Sequence, residues 1–294
     1  MDRRNFLRAL STTSLTLPLM KLNDLNKITA SAGATEKMPV LFVGHGSPMN
    51  AIEENEFVKG WRELGKTIPK PSAILCVSAH WETRGTQVTA MERPATIHDF
   101  GGFPRQLYEI QYPAPGDPQL ARDTRTLVKS AEVLLDEKWG LDHGCWSVVK
   151  HFYPDADVPV IQMSLDYYQQ PQYHYDLGKE LQSLRSKGVL IIGSGNIVHN
   201  LGMVAWDKLD VPGYGYDWAI EAKEKVRNLI LSGDHKSLIG YKQLGKEFNL
   251  AVPTPDHFLP LLYVLALKEN NEQVSFYNDK AVAGSLTMTC VRIG

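Results

Sequence analysis

Val40-Leu41-Phe42-Val43-Gly44-His45-Gly46-Ser47-Pro48-Met49 is an apolar run that stops at a histidine set between two glycines. The run has the character of a buried strand. The glycines let the chain turn tightly and leave the imidazole unobstructed. The same design recurs at Ala73-Ile74-Leu75-Cys76-Val77-Ser78-Ala79-His80-Trp81. It appears a third time at Val189-Leu190-Ile191-Ile192-Gly193-Ser194-Gly195-Asn196-Ile197-Val198-His199-Asn200. Three strands thus each deliver a histidine just past their C-terminal ends, the edge of an open α/β sheet where ligands bind.

Outward from these stretches, short apolar runs alternate with helical patterns. Helices are expected over residues 53–66, where Phe57, Trp61 and Leu64 share a face, and over 119–130, 173–187, 218–232 and 261–267. Asp217 is the expected cap of the helix over 218–232. Further strands are expected near 86–91 and over 158–163, 273–277 and 286–292. The Gly- and Pro-rich stretch 92–118 is a long loop of the kind that often carries function. This alternation predicts a single three-layer α/β/α domain over residues 38–294. Its central sheet is largely parallel, with antiparallel strands toward the C-terminus.

The formal net charge of −2 over 294 residues gives no electrostatic pull toward nucleic acid. Cys76, Cys145 and Cys290 are far apart and form no CxxC pattern, so neither a zinc knuckle nor a disulfide framework is indicated. No apolar run is long enough for a membrane-spanning helix. Residues 1–34 read differently from the rest. Asp2-Arg3-Arg4-Asn5-Phe6-Leu7-Arg8 is a twin-arginine pattern, a weakly apolar stretch follows over 9–20, and Ala30-Ser31-Ala32-Gly33-Ala34 offers an A-x-A-like cleavage site. The expectation is a Tat signal and a periplasmic protein; the alternative is a disordered tail on a cytoplasmic one.

Among nine histidines, those at strand ends and in rigid loops stand out. Imidazole is a common ligand of zinc and iron and a base near neutral pH. His45, His80 and His257 read as metal ligands, with His257 held in Pro255-Asp256-His257-Phe258-Leu259-Pro260. His199 reads as a ligand, a general base or a structural residue. His143 follows Asp142, which could orient it. His98 lies beside Asp99 in the long loop and could close over a substrate. Trp81, Phe100, Phe103 and Trp146 flank these positions and could stack on an aromatic ring. His151, His174 and His235 lack a companion motif and are expected to be solvated or half-buried surface residues. No H-E-x-x-H or Cys/His finger pattern is present.

Taken in order, Gly44-His45-Gly46-Ser47-Pro48-Met49, Ser78-Ala79-His80-Trp81, His98-Asp99-Phe100-Gly101-Gly102-Phe103-Pro104, Leu141-Asp142-His143-Gly144, the stretch from Gly193 to Asn200, and Pro255-Asp256-His257-Phe258 form one set. This set resembles the class III extradiol ring-cleavage dioxygenase superfamily, and within it the 4,5-DOPA-extradiol-dioxygenase-like branch. The resemblance implies one divalent metal per chain, Zn(II) or Fe(II), on His45, His80 and His257. It implies that His199 serves as acid/base, being counted in some members with the ligands, and that His143 is a catalytic residue facing the substrate. His98, Trp81 and Phe103 are then candidate substrate contacts. The substrate class implied is a small aromatic diol, DOPA-like, opened by O2 to a muconic semialdehyde-type product. The wider superfamily uses two histidines and a carboxylate on Fe(II), whereas here the third position falls on His257 with Asp256 beside it. An all-histidine set suits Zn(II) as well as Fe(II). Two other classes are consistent with the residues: a zinc hydrolase with Glu82 as its base, and a non-catalytic metal-binding periplasmic protein.

Overall fold

Alternate residues of the strand that opens the chain pack into two separate cores. Val40 and Phe42 join one apolar cluster and Leu41 and Val43 the other. Leu75 and Val77 part from Ile74 and Cys76 in the same way. Side chains of a strand alternate between faces, so this division means that the sheet is covered on both sides. The structure, a computed structural model, describes residues 37–294. The signal segment expected over residues 1–34 lies outside the described residues.

The strands are β1 (Val40–Gly44), β2 (Ala73–Thr83), β3 (Thr86–Thr89), β4 (Val133–Asp136), β5 (Val160–Asp166), β6 (Val189–Gly195), β7 (Val274–Tyr277), β8 (Ala281–Val282), β9 (Leu286–Thr287) and β10 (Cys290–Ile293). One eight-stranded sheet has the order β4-β3-β5-β2-β6-β1-β10-β7, and β8 and β9 pair separately. β5, β2, β6 and β1 run parallel. β10 is antiparallel to β1 and to β7, as expected for the C-terminal end. β3 is antiparallel to β5, and β4 runs parallel to β3 at the sheet's edge. The three-layer α/β architecture with a largely parallel sheet is therefore present.

The longer helices are α1 (Glu56–Lys66), α2 (Pro118–Leu127), α3 (His143–Phe152), α4 (Pro171–Glu180), α5 (Asp217–Ser232) and α6 (Leu259–Ala266). α1 starts where the Asn55 side chain accepts from the backbone N–H groups of Phe57 and Val58, and it buries Val58, Trp61 and Leu64. α3 starts at Asp142, whose carboxylate accepts from Cys145 N. α6 is buried nearly all round and lies against β6 and β1, with Pro260 in its first turn. Among the described residues no helix is long and apolar enough to cross a membrane.

Four expectations are corrected. Residues 173–187 are not one helix. α4 ends at Glu180, and the next short helix, Gln182–Arg185, carries the Arg185 side chain inward to the carbonyls of Met38 and Leu267 and to Glu272. Residues 286–292 form two strands, because Met288 N turns aside to donate to Lys280 O between β9 and β10. Asp217 is the first residue of α5 and makes no cap bond; Tyr216 takes the cap position. The negative charge of Asp217 still suits the positive end of that helix. Finally, His151 and His174 are buried rather than on the surface.

His174 sits between α4 and α6, with Nδ1 3.1 Å from the Tyr263 hydroxyl. Burial pushes its pKa down to about 4. The unfolded chain binds a proton here below pH ~6.5, whereas the folded chain resists until about 4. Stability is thus fully present above pH ~6.5 and declines as the pH falls toward 4, by about 3 kcal/mol from this group. Denaturant unfolding at pH 7 and pH 4.5 should show a smaller stability difference in His174→Gln than in the parent chain.

Candidate metal centre

β6 lies between β1 and β2, and its register sets Gly195 opposite Gly44 and Ser194 opposite Ser78. Three adjacent strand ends therefore meet. His45 follows β1 directly and is tied to β6 by its backbone N–H on Gly195 O at 3.1 Å. His80 lies inside β2, which runs on past the expected end at residue 77, where its pairing with β5 slips between Val77 and Glu82. His257 arrives in the turn before α6, held by Asn196 N on its carbonyl at 2.9 Å. A Cβ on Gly195 would lie 2.1 Å from that carbonyl oxygen, so only glycine lets this segment close on β6. Gly144 does the same for the start of α3, where a Cβ would lie 2.5 Å from Ser78 Oγ and 2.9 Å from His80 Cδ2.

The outcome is a buried cluster of imidazoles. Ligand atoms of His45, His80 and His257 all lie within 4.8 Å of one another. His45 Nε2 and His80 Nε2 are 3.0 Å apart. His143 packs against His80 with ring centroids 3.8 Å apart. His199 stacks on His257 at 3.5 Å with the rings nearly parallel at 7°. Burial, and then the neighbouring imidazoles, hold His45 and His80 well below the usual histidine range. The same two causes bring His199 to about 3. These rings are neutral at physiological pH and so able to donate a lone pair.

Their outer partners decide which nitrogen that is. The Ser194 hydroxyl donates to Gly144 O, so its lone pair accepts from His45 Nδ1–H at 3.0 Å. His45 Nε2 is then a bare lone pair. His257 Nδ1 is engaged by the Asp256 carboxylate, so Nε2 is the nitrogen left for the cluster. Burial raises the pKa of Asp256, but the His257 bond and charge outweigh it and leave it at about 2. His80 Nε2 lies 3.0 Å from His45 Nε2, and with His257 these rings converge as an imidazole donor set of the kind that suits Fe(II) and Zn(II). The residues present therefore fit one divalent metal.

His143 takes its orientation from Asp99, not from Asp142. Asp99 Oδ1 accepts the His143 backbone N–H at 2.8 Å and Oδ2 accepts Nδ1–H at 2.8 Å. Asp142 faces inward instead and accepts from Ser78 Oγ, Gln162 Nε2 and Cys145 N, with its pKa raised by burial and then by Asp99. Phe100 stands edge-on to His143 at 5.5 Å and to Phe103 at 5.4 Å, so this part of the loop walls the cluster. His98 is turned to the Ile110 carbonyl at 3.0 Å and packs on Trp146. Trp81 is buried and stacks on Trp139, and Trp146 is buried with its indole N–H on Ile97 O. The structure brings together His45, His80, His143, His199, His257 and Phe100, and it sets Trp81, Trp146 and His98 in supporting layers. Sequence reasoning missed Ser194 and the pairing of Asp99 with His143. Ser194 lies in a quoted motif but carries no sign of pointing at His45. Asp99 stands 44 positions before its partner.

A profile of the family described as the catalytic LigB subunit of aromatic ring-opening dioxygenase matches residues 38–288. The chain belongs to this family. An Escherichia coli K12 relative described as 4,5-DOPA dioxygenase extradiol is 46% identical over 265 residues, covering 89% of this chain and 96% of the relative. A Mirabilis jalapa protein of the same description is 36% identical over 236 residues, covering 78% of this chain and 86% of its own length. The crystal structure of an uncharacterized Escherichia coli K12 protein superposes with a TM-score of 0.76 at 41% identity, covering 87% of this chain and all of that one. By family the protein is an oxidoreductase, an extradiol ring-opening dioxygenase, and the hydrolase and non-catalytic readings give way to it.

Ser194→Ala removes the acceptor of His45 Nδ1–H without touching a proposed ligand. Loss of such an outer partner typically costs 10–100-fold in metal affinity. Zinc(II) titrated against a chelator should show about a tenfold weaker site in this dioxygenase variant, with the melting temperature little changed.

Proposed function

We propose that this chain opens the ring of a small catechol-type diol with O2, giving a muconic semialdehyde-type product, and that His45, His80 and His257 hold one iron(II) for that purpose. The observation that carries this reading is the convergence of buried imidazoles, two of which have their outer nitrogens engaged by Ser194 and Asp256. Iron(II) supplies the redox chemistry that joins O2 to the ring, which zinc(II), with no accessible redox step, does not.

The protein's own residues bind, orient and move protons. Phe100, backed by Phe103, offers an aromatic edge beside His143 for the diol's ring. His143 Nδ1–H is committed to Asp99, so Nε2 is the nitrogen left to accept a proton from a diol hydroxyl. His199 is held by its backbone N–H on Ala251 O and by its stack on His257. Its ring makes no hydrogen bond to the described residues and is free to exchange a proton with the substrate. An anionic phenolate against it would raise its proton affinity from the low value that burial imposes, so it could take a proton and later return it. The apolar wall and the depth of the cluster keep bulk water from competing.

O2 uptake tests the reading directly. The chain is purified without air, reconstituted separately with Fe(II) and Zn(II), and offered a panel of catechols including DOPA. Uptake with Fe(II) alone and a yellow product is the expected outcome; stoichiometric binding of both metals without uptake would overturn it. His199→Ala should keep the metal and lose about 10²–10⁴-fold in kcat, the usual contribution of a positioned acid/base. Full kcat in that variant would remove His199 from proton transfer.

Export to the periplasm by the Tat route is proposed from Arg3 and Arg4. Arg3→Lys with Arg4→Lys should then leave the protein in the cytosolic fraction of its host. A parent chain found only in that fraction would refute export.

A further inference from the structure

Asp99 sits in a loop that is fastened just before it reaches the cluster. Ile97 N donates to Leu141 O at 2.7 Å, Leu141 N to Ala95 O at 2.8 Å, and Trp146 Nε1 to Ile97 O at 2.8 Å. His98 Nε2 is fixed on Ile110 O at 3.0 Å. These bonds hold the chain over residues 95–98 and present the next carboxylate to the histidines. The Asp99 side chain is 15% exposed, and among the described residues its ion-pair partners are two imidazoles and no lysine or arginine. Oδ2 is 2.8 Å from His143 Nδ1 and 3.6 Å from His80 Nδ1. Oδ1 meanwhile holds the His143 backbone N–H at the first turn of α3. One carboxylate therefore stands behind a proposed metal ligand and a proposed substrate-facing histidine at once.

We propose that Asp99 is a positioning residue shared by both halves of the centre, setting the ring of His143 toward the substrate and that of His80 toward the metal. It touches neither substrate nor metal itself and acts through the two imidazoles. The inference rests on the roles given above to His143 and His80. The physical basis is general. A carboxylate on the outer nitrogen of an imidazole fixes its tautomer and ring orientation and makes the inner nitrogen a better donor. At His143 the 2.8 Å bond does this fully. At His80 the 3.6 Å separation is too long for a hydrogen bond, and the carboxylate holds the neutral ring more weakly, through the dipole of its outer N–H. The consequence is coupling: a change at residue 99 disturbs metal affinity and turnover together, although the residue contacts neither ligand.

The test uses Asp99→Asn, which keeps the shape and can still accept the His143 backbone N–H, and Asp99→Ala. Each full-length variant is stripped of metal and titrated with zinc(II) against a chelator. It is then loaded with Fe(II) and assayed with the best catechol found for the parent chain. Asp99→Asn should bind zinc about tenfold more weakly and lose about 10–100-fold in kcat, with KM for the diol unchanged. Asp99→Ala should be worse on both counts. Parental zinc affinity in Asp99→Asn would overturn the His80 half, and a raised KM with unchanged kcat would make Asp99 a substrate contact instead. A purely structural role would lower the active fraction and melting temperature while the folded fraction kept parental affinity and kcat. Should Asp99→Ala fail to fold, the near-isosteric Asp99→Asn still decides. Should the parent chain open no catechol, the functional reading fails, and zinc affinity alone still measures the hold of Asp99 on the centre.

Discussion

Everything at this site depends on keeping several imidazoles neutral and correctly tautomeric while packed against one another out of water. His45, His80 and His257 have ring centroids about 5 Å apart, and His143 and His199 are closer still to one member each. A proton on one ring disfavours a proton on the next, and burial disfavours all of them. Each neutral ring has one N–H that needs an acceptor and one lone pair that needs a use. Ser194, Asp256 and Asp99 are the acceptors, and each lies on the side away from the cluster's centre. The arrangement is therefore built from the outside inward: acceptors choose tautomers, and tautomers aim lone pairs.

That constraint reaches into the scaffold. The acceptors must keep their hydrogen-bond distances to within a few tenths of an ångström, so they sit on elements that are themselves cross-tied. Ser194 is on the buried central strand β6, opposite Ser78 of β2. Ser78 donates to Asp142, which caps α3, and Asp142 N is held in turn by Gln162 Oε1 of β5. One buried carboxylate thus joins β2, β5 and the helix that starts with His143. Asp142 lies at the positive end of a helix and is surrounded by donors, which offsets part of the cost of burying a carboxyl there. Deleting it would loosen the frame rather than remove a proton shuttle.

How much of this can be read from the chain follows from the range of each interaction. The strands before His45 and His199 are legible because four or more consecutive apolar residues leave few alternatives to a doubly covered strand. The histidines they carry are legible for the same reason, since a glycine-flanked strand end has one place to go in such a sheet. Contacts between distant segments are not. Nothing local at Asp142-His143 says that the neighbouring carboxylate turns inward and that Asp99 takes its place. Burial of His174 is likewise hidden, because the apolar face that covers it belongs to α6, remote in sequence. The break in the strand expected over 286–292 comes from a backbone bond to Lys280, again a partner that local pattern does not reveal.

The pair Asp256-His257 shows why the position of one negative charge matters. Sequence places the third ligand on His257, with Asp256 beside it. In the structure His257 enters the cluster and Asp256 stays behind it on Nδ1. The carboxylate is thereby moved one imidazole away from the centre, and Asp99 stands in the same relation to His143 and His80. A ligand set of neutral imidazoles leaves both charges of a divalent ion to be balanced by whatever else binds. On the function proposed here, a diol that gives up protons to His143 and His199 would be such a partner, since each proton lost adds a negative charge where it is wanted. Placing negative charge behind the histidines, instead of on the metal, favours an anionic substrate over water and gives the displaced protons somewhere to go.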